Sequence, residues 1–246
     1  MSRTVAIVQA RMGSRRLPGK VLLDIAGQSM LERVVRRVQR AALIDQTVVA
    51  TSTSTQDDAV VAECDDIGVA VVRGSELDVL DRFRDAAIAH DAAICVRVGA
   101  DSPLIDAAVC DNAVSALRDS DPPADYASNK IRPTYPLGLD VEAFTRGALE
   151  RAWVGARDAY ERSHVTIHMY QTSGEFRVLA VRDTVDRHYW RWTVDTADDL
   201  DFARQVFARF SGSNEFGFAD VVKLIEREPH LARINAHVRA RDVVEG

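Results

Sequence analysis

Residues 4–20 read TVAIVQARMGSRRLPGK, and the opening apolar run sets the fold class. Thr4, Val5, Ala6, Ile7 and Val8 follow one another without polar alternation, the pattern of a strand buried on both faces. Such strands belong to parallel sheets covered by helices on each side. Directly behind the run lies a polar loop, residues 10–20. It carries four cations, Arg11, Arg15, Arg16 and Lys20, and two glycines, Gly13 and Gly19. Glycine lets backbone N–H groups approach phosphate oxygens, and the cations offset phosphate charge. A solvated basic loop would explain the charge but not its coincidence with glycine immediately after the first strand. The order G-x-x-x-x-G-K-[ST] fails because Val21 follows Lys20, and G-x-G-x-x-G is absent, which argues against a dinucleotide cofactor.

Outward from this point the chain alternates. Strands are predicted at 47–51, 69–72 and 93–98, and helices at 57–66, 77–90 and 107–118. The first helix starts at Ser29, where Ser29 and Glu32 make an S-x-x-E capping box. Leu31, Val34, Val35 and Val38 fall on one of its faces, and Arg33, Arg36, Arg37 and Arg40 on others. Asp121-Pro122-Pro123 breaks the alternation, and residues 126–136 read as polar and Pro-containing. A strand at 138–144, helices at 147–156 and 158–170, strands at 176–181 and 189–194, and helices at 197–210 and 218–228 complete the reading. Pro229 closes the last helix. The expectation is one domain over 1–246, with a region of about 121–190 inserted in it.

Composition narrows the function. The 246 residues are 47% hydrophobic and 28% charged, with a net charge of −6. A general nucleic-acid binder would be basic overall. Cys64, Cys95 and Cys110 show no C-x-x-C or Cys/His spacing and read as small buried residues of a reducing compartment. The N-terminal apolar run is too short for a signal peptide, and no stretch approaches the ~18 apolar residues that span a bilayer. A cytoplasmic protein without membrane or nucleic-acid partners is expected.

In open parallel sheets ligands sit beyond the carboxyl ends of the strands. Those ends are residues 10–20, 52–56, 73–78 and 99–106. Asp101, in Val98-Gly99-Ala100-Asp101-Ser102-Pro103, stands where it can hold Mg²⁺, which takes one or two carboxylates plus phosphates and water. Capping of the helix near Asp106 explains it equally well. Asp195 also ends a predicted strand. Thr196 and Asp199 make a second capping box that leaves Asp195 free to share a metal with Asp101, or only to favour the helix N-terminus electrostatically.

These residues resemble a known family. Ala10-Arg11-x-Gly13-Ser14-x-Arg16-Leu17-Pro18-Gly19-Lys20 is similar to the signature loop of the cytidylyltransferases that activate sugar acids. Asp101-Ser102-Pro103-Leu104-Ile105 resembles their metal segment, and Asp195-Thr196 with Asp199-Leu200 a late motif. Arg73-Gly74-Ser75, Gly138-Leu139-Asp140-Val141-Glu142 and Glu161-Arg162-x-His164 resemble the branch of spore-coat polysaccharide biosynthesis protein F. The resemblance implies a Rossmann-like three-layer α/β/α nucleotidyltransferase fold (nucleotide-diphospho-sugar transferase-like), CTP, Mg²⁺ and a homodimer built through the middle region. It departs at Gly99, where the sugar-acid synthetases typically carry Gln.

The reaction so implied is transfer of CMP from CTP to an acceptor hydroxyl, releasing pyrophosphate. Arg11, Arg16 and Lys20, with backbone donors at Gly13 and Ser14, are assigned to the triphosphate, beside Ala10. Asp101 and Asp195 are assigned to Mg²⁺. Thr51, Ser52 and Ser75 stand at neighbouring strand ends and face the base or ribose, or cap helices. Asp78 and Arg82, four apart, read as a surface ion pair. Arg132, Tyr135, Asp140, Glu142 and His164 are the acceptor candidates; packing is the alternative for Tyr135, and a backbone hydrogen bond for His164. Trp190 and Trp192 share one face of a strand, as core or interface. A nucleotide-sugar-dependent glycosyltransferase and a non-catalytic nucleotide-binding module are the rival readings. The first would want a D-x-D motif, which Asp101-Ser102-Pro103 lacks.

Overall fold

The computed structural model describes residues 2–239. In chain order the elements are β1 (Thr4–Gln9), β2 (Asp24–Ile25), β3 (Gln28–Ser29), α1 (Met30–Val38), β4 (Gln46–Ser52), α2 (Asp58–Ile67), β5 (Ala70–Gly74), α3 (Val79–Ala89), β6 (Ile94–Gly99) and α4 (Ala107–Arg118). Then follow β7 (Tyr126–Ser128), β8 (Glu142–Thr145), α5 (Arg146–Gly155), α6 (Ala159–His164), α7 (Ile167–Gln171), β9 (Val178–Ala180), α8 (Ala197–Arg209) and α9 (Phe218–Arg227). Seven strands form one sheet in the order β5-β4-β1-β6-β8-β7-β9, and β2 with β3 makes a small hairpin. The pairs β5–β4, β4–β1 and β1–β6 are parallel; β8 runs antiparallel to both neighbours, and β9 is parallel to β7. The mostly parallel sheet and its covering helices are those of the Rossmann-like nucleotidyltransferase fold.

Alternate residues of β1 serve opposite faces. Ala6, Val8 and Ala10 pack with residues of α1, α4, α8 and α9. Val5 and Ile7 pack on the other side, with residues of α3, α5 and α7. Continuous apolarity in the strand is therefore two cores back to back. Cys64, Cys95 and Cys110 are unpaired and buried, and burial raises all three thiols, Cys64 and Cys95 to about 12. Among the described residues no helix is long and apolar enough to cross a membrane.

Several expectations are corrected. The strand expected over 138–144 begins only at Glu142, because Gly138 has φ 104° and lies against the backbone of Trp192 and Thr193. The helix expected over 158–170 breaks at Val165, whose φ is 61°. Residues 189–194 form no strand but one bridge, Leu137 to Arg191, with Trp192 and Thr193 donating to the Leu137 carbonyl. Trp190 and Trp192 nevertheless stack, 6.1 Å between centroids. Residues 126–128, read as loop, are strand β7, too short to show a period. Only half of the Ser29 box forms: Ser29 Oγ accepts from the Glu32 N–H, while the Glu32 carboxylate accepts from Gln28 and Arg36. Arg33 and Arg37 are buried, because their guanidinium groups satisfy the carbonyls of Ile25, Ala26, Ile105, Gly212 and Asn214 and lie over Phe207 and Phe216.

The strands of the middle region thus continue the same sheet. Phe144 of β8 is fully buried in the second core. Phe144→Ala should cost about 3–5 kcal/mol. Urea unfolding measures this, and a loss below about 1 kcal/mol would show that β8 is not part of the cooperative core.

Candidate active site

The loop after β1 is fastened at both ends. Asp57, buried before α2, accepts from the Met12 N–H at 2.7 Å and from Ser52 N and Oγ. Burial opposes its charge, but these hydrogen bonds outweigh it and hold the carboxyl below its ordinary range. The Met12 carbonyl accepts from Ser14 and Gly19, and Gly19 has φ 68°, a conformation that favours glycine. The loop so folded faces residues from β1, β6, the segment between β5 and α3 and the segment before α8 across a cleft of about 730 Å³.

At one side of this cleft three long-range partners meet on one nitrogen. Lys20 Nζ donates to Asp101 Oδ2 at 2.9 Å, Asp195 Oδ1 at 2.7 Å and the Val194 carbonyl at 2.9 Å. Lys20 is only 8% exposed. Burial opposes the ammonium, but Asp101 and Asp195 outweigh it and raise its pKa. Asp195 Oδ2 also accepts from Arg191 at 2.7 Å and forms an ion pair with Arg16 at 2.8 Å. Burial opposes its ionisation too; Lys20, Arg16 and Arg191 reverse that and lower the carboxyl. Asp195 is therefore not free as expected: three cations hold it. The Thr196–Asp199 box forms as read, and Asp199 in addition takes Arg191 Nε and Asn235. Asp101 keeps Oδ1 without a described hydrogen bond. A Cβ at Gly99 would lie 2.5 Å from that oxygen, so glycine there makes room for the carboxylate.

A recess of about 270 Å³ adjoins the cleft and shares Arg16, Arg97, Gly99, Asp101 and Asp195 with it. Glu142 forms its floor, accepting from Arg97 at 2.8 Å, Lys130 at 3.2 Å, Tyr126 OH at 2.8 Å and Thr166 Oγ1. Burial opposes ionisation, but Lys130, Arg97 and the two hydroxyls bring the carboxyl down to about 2. Asp140 also lines the recess and has no described side-chain partner; burial, outweighing the pull of Lys130, pushes its carboxyl up.

The structure thus gathers Arg11, Gly13, Ser14, Arg16, Lys20, Asp101 and Asp195 on the cleft, and Asp140 and Glu142 on the recess. Other candidates stand elsewhere. Ala10 is buried and its N–H donates to the Ala50 carbonyl. Thr51 and Ser52 are buried, Ser52 spent on Asp57, and Ser75 Oγ accepts from the Asp78 N–H. Arg132 is exposed and lines neither space. Tyr135 packs on Phe218, and His164 Nδ1 rests on the Tyr160 carbonyl at 2.9 Å. His168 lies on a separate short helix and pairs with Glu161. Asp78 pairs with Arg162, not Arg82, which is fully buried and donates to the Ser75 carbonyl. Ser14 donates its N–H within the loop, leaving the Gly13 N–H without a described partner. Gln9, Arg97, Lys130 and Arg191 were missed, and Arg15 was read only as one of the loop's four cations. For Gln9 and Arg97 the signal was a polar side chain inside an apolar strand.

A family model described as cytidylyltransferase matches residues 5–208. The chain is 30% identical over 239 residues to the spore coat polysaccharide biosynthesis protein SpsF of Bacillus subtilis, covering 94% of this chain and 98% of that one. It is 28% identical to the 3-deoxy-manno-octulosonate cytidylyltransferase of Anaeromyxobacter sp. (strain Fw109-5), over 85% of this chain and 98% of the other. A solved cytidylyltransferase from Leptospira borgpetersenii superposes with a TM-score of 0.91 at 28% identity, covering 98% of this chain and 100% of that one.

Glu142 gives this site an acid limit. Its folded carboxyl titrates at about 2 against an ordinary 4.5, so its stabilisation is complete above the ordinary value and is lost as pH falls toward 2. Glu142→Gln should be less stable at neutral pH, since Arg97 and Lys130 lose their partner, and its urea midpoint should fall less steeply than wild type below about pH 5. Parallel falls would place the acid sensitivity on other groups.

Proposed function

The chain belongs to the cytidylyltransferase family, and from that premise we propose that it transfers CMP from CTP to a hydroxyl of a sugar acid or related hydroxy acid, releasing pyrophosphate. The observation that carries this reading is the position of the cationic glycine loop opposite Asp101 and Asp195, with the polar recess alongside. In the reaction a bond forms between the acceptor oxygen and the α-phosphorus. The bond to the bridging oxygen breaks, and its electron pair leaves with pyrophosphate. Arg11 and the Gly13 N–H would meet the phosphates, with Arg15 beside them, and Arg16 would join them on leaving Asp195. Asp140, without a side-chain partner, is placed to take the acceptor's proton.

Mg²⁺ belongs to the same proposal. Among the described residues no three His, Cys, Asp or Glu side chains are grouped to hold a metal. Two carboxylates meeting on one cation are the whole protein donor set, which suits an ion that also takes phosphate and water oxygens. Asp101, with Oδ1 open, and Asp195 would hold it. When bound, Mg²⁺ draws charge from the α-phosphate and the attacking oxygen. Lys20 has all three donors committed to Asp101, Asp195 and Val194, so its service to the triphosphate requires leaving them. A small hydroxylated acceptor, a cytoplasmic setting and a homodimer complete the proposal; sedimentation as a single 27.1 kDa species would refute the dimer.

Incubation with CTP, Mg²⁺ and a panel of 2-keto sugar acids and hydroxy acids should yield pyrophosphate and a CMP ester with at least one of them. Transfer from UDP- or GDP-sugars in its place would overturn the reading. Asp101→Asn should lower the rate at least ~100-fold, because it removes charge stabilisation at the reacting phosphate. Lys20→Met leaves two carboxylates facing each other. Its Tm should drop, and millimolar Mg²⁺ without nucleotide should restore part of the loss while leaving wild type unmoved; an Mg²⁺-insensitive Tm in the variant would deny that the pair can hold the ion.

A further inference from the structure

Gln9 ends β1 on the floor of the cleft, and its side chain is the carboxamide that lines it. In the sheet register it stands between Ala50 of β4 and Gly99 of β6, two of the smallest residues. Ala50 is buried in the core and the room at Gly99 is taken by the Asp101 carboxylate, so the Gln9 side chain lies between the core and that carboxylate.

The carboxamide is also oriented. Arg97 Nη2 donates to Gln9 Oε1 at 3.1 Å, while Arg97 Nη1 donates to Glu142 at 2.8 Å. A guanidinium only donates, so the Gln9 oxygen must face Arg97. The amide nitrogen, with its two donors and no described partner, is the end left to the cleft. Leu77, 83% exposed, lines the same cleft and offers it an apolar surface. Phosphates call for the charged loop; a neutral amide next to an apolar side chain suits the edge and face of a base.

We infer that Gln9 selects the pyrimidine, one amide N–H donating to ring N3 of cytosine. Uracil presents N–H at position 3, donor against donor, and is refused. The orientation comes from Arg97, so the selectivity is set by the same ion pair that builds the recess floor. The inference rests on the proposed use of CTP and goes beyond it by assigning the choice of base to one side chain.

Equilibrium binding of CTP and UTP in the presence of Mg²⁺ tests it without an acceptor. Wild type should prefer CTP. Gln9→Met, close in volume but without donors, should lose about 10- to 100-fold in CTP affinity while UTP changes little. Gln9→Glu, an acceptor at the same place, should shift the preference toward UTP. Circular dichroism and Tm confirm that both variants fold. If CTP and UTP weaken together in both variants, or neither changes, Gln9 does not read the base. If wild type binds no cytidine nucleotide at all, the proposed function fails and this inference with it.

Discussion

The arrangement depends on one ammonium group neutralising two carboxylates from distant parts of the chain. Lys20 comes from the first loop, Asp101 from the end of β6 and Asp195 from the turn before α8. Burying these charges costs hydration, and only mutual pairing with full hydrogen bonding offsets it. All three Lys20 donors are used, and Asp195 has both oxygens occupied by cations. The same contacts that stabilise the charges join the first loop to the late segment. Site geometry and tertiary structure here are a single set of bonds.

A second chain of contacts joins the two halves of the site. Arg97 touches Gln9 in the cleft and Glu142 in the recess, and Glu142 in turn receives Lys130, Tyr126 and Thr166. These residues sit on β1, β6, β7 and β8, just beyond β7, and, for Thr166, between α6 and α7. The parallel half of the sheet supplies the cleft, and the antiparallel strand β8 supplies the recess floor. A guanidinium with five donors in a fixed fork is suited to hold such a junction, and a lysine at 97 would not bridge both sides.

What the sequence disclosed follows from the range of the interactions. The apolar run at 4–9 and the helices at 107–118 and 218–228 are governed by local periodicity and caps, and they stand where they were expected. The glycine-cation loop and Asp101 could be singled out because they directly follow β1 and β6, whereas Asp195 stands before α8 and not at the end of a strand. Residues 189–194 looked like a strand because Trp190 and Trp192 alternate with polar side chains. Their backbone partners, however, are settled by Gly138, fifty-odd residues earlier, whose missing side chain admits them. The same holds for Thr51 and Ser52. Strand ends were identified, but whether a hydroxyl faces solvent or Asp57 depends on which face of β4 it occupies. Arg82 and Asp78 were four apart and still did not pair, because burial of Arg82 against β5 and the arrival of Arg162 from α6 are tertiary events.

Charge accounting across the site shows why the first loop needs more cations than its own contacts use. In the recess Arg16, Arg97, Lys130 and Arg191 stand against Asp101, Asp140, Glu142 and Asp195, so that region is balanced before any ligand enters. Each of those cations is already paired with a carboxylate. An anionic triphosphate therefore cannot be neutralised there without breaking a pair. Arg11 and Arg15 differ: both line the cleft, and neither has a described acidic partner. Their charge is uncommitted, and glycine beside them lets the backbone approach as well. The loop so supplies the surplus that a balanced recess lacks, while the recess keeps its own pairs. That division of charge, surplus on the loop and balance in the recess, is what supports assigning the phosphates to the loop and the acceptor to the recess in the proposed reaction.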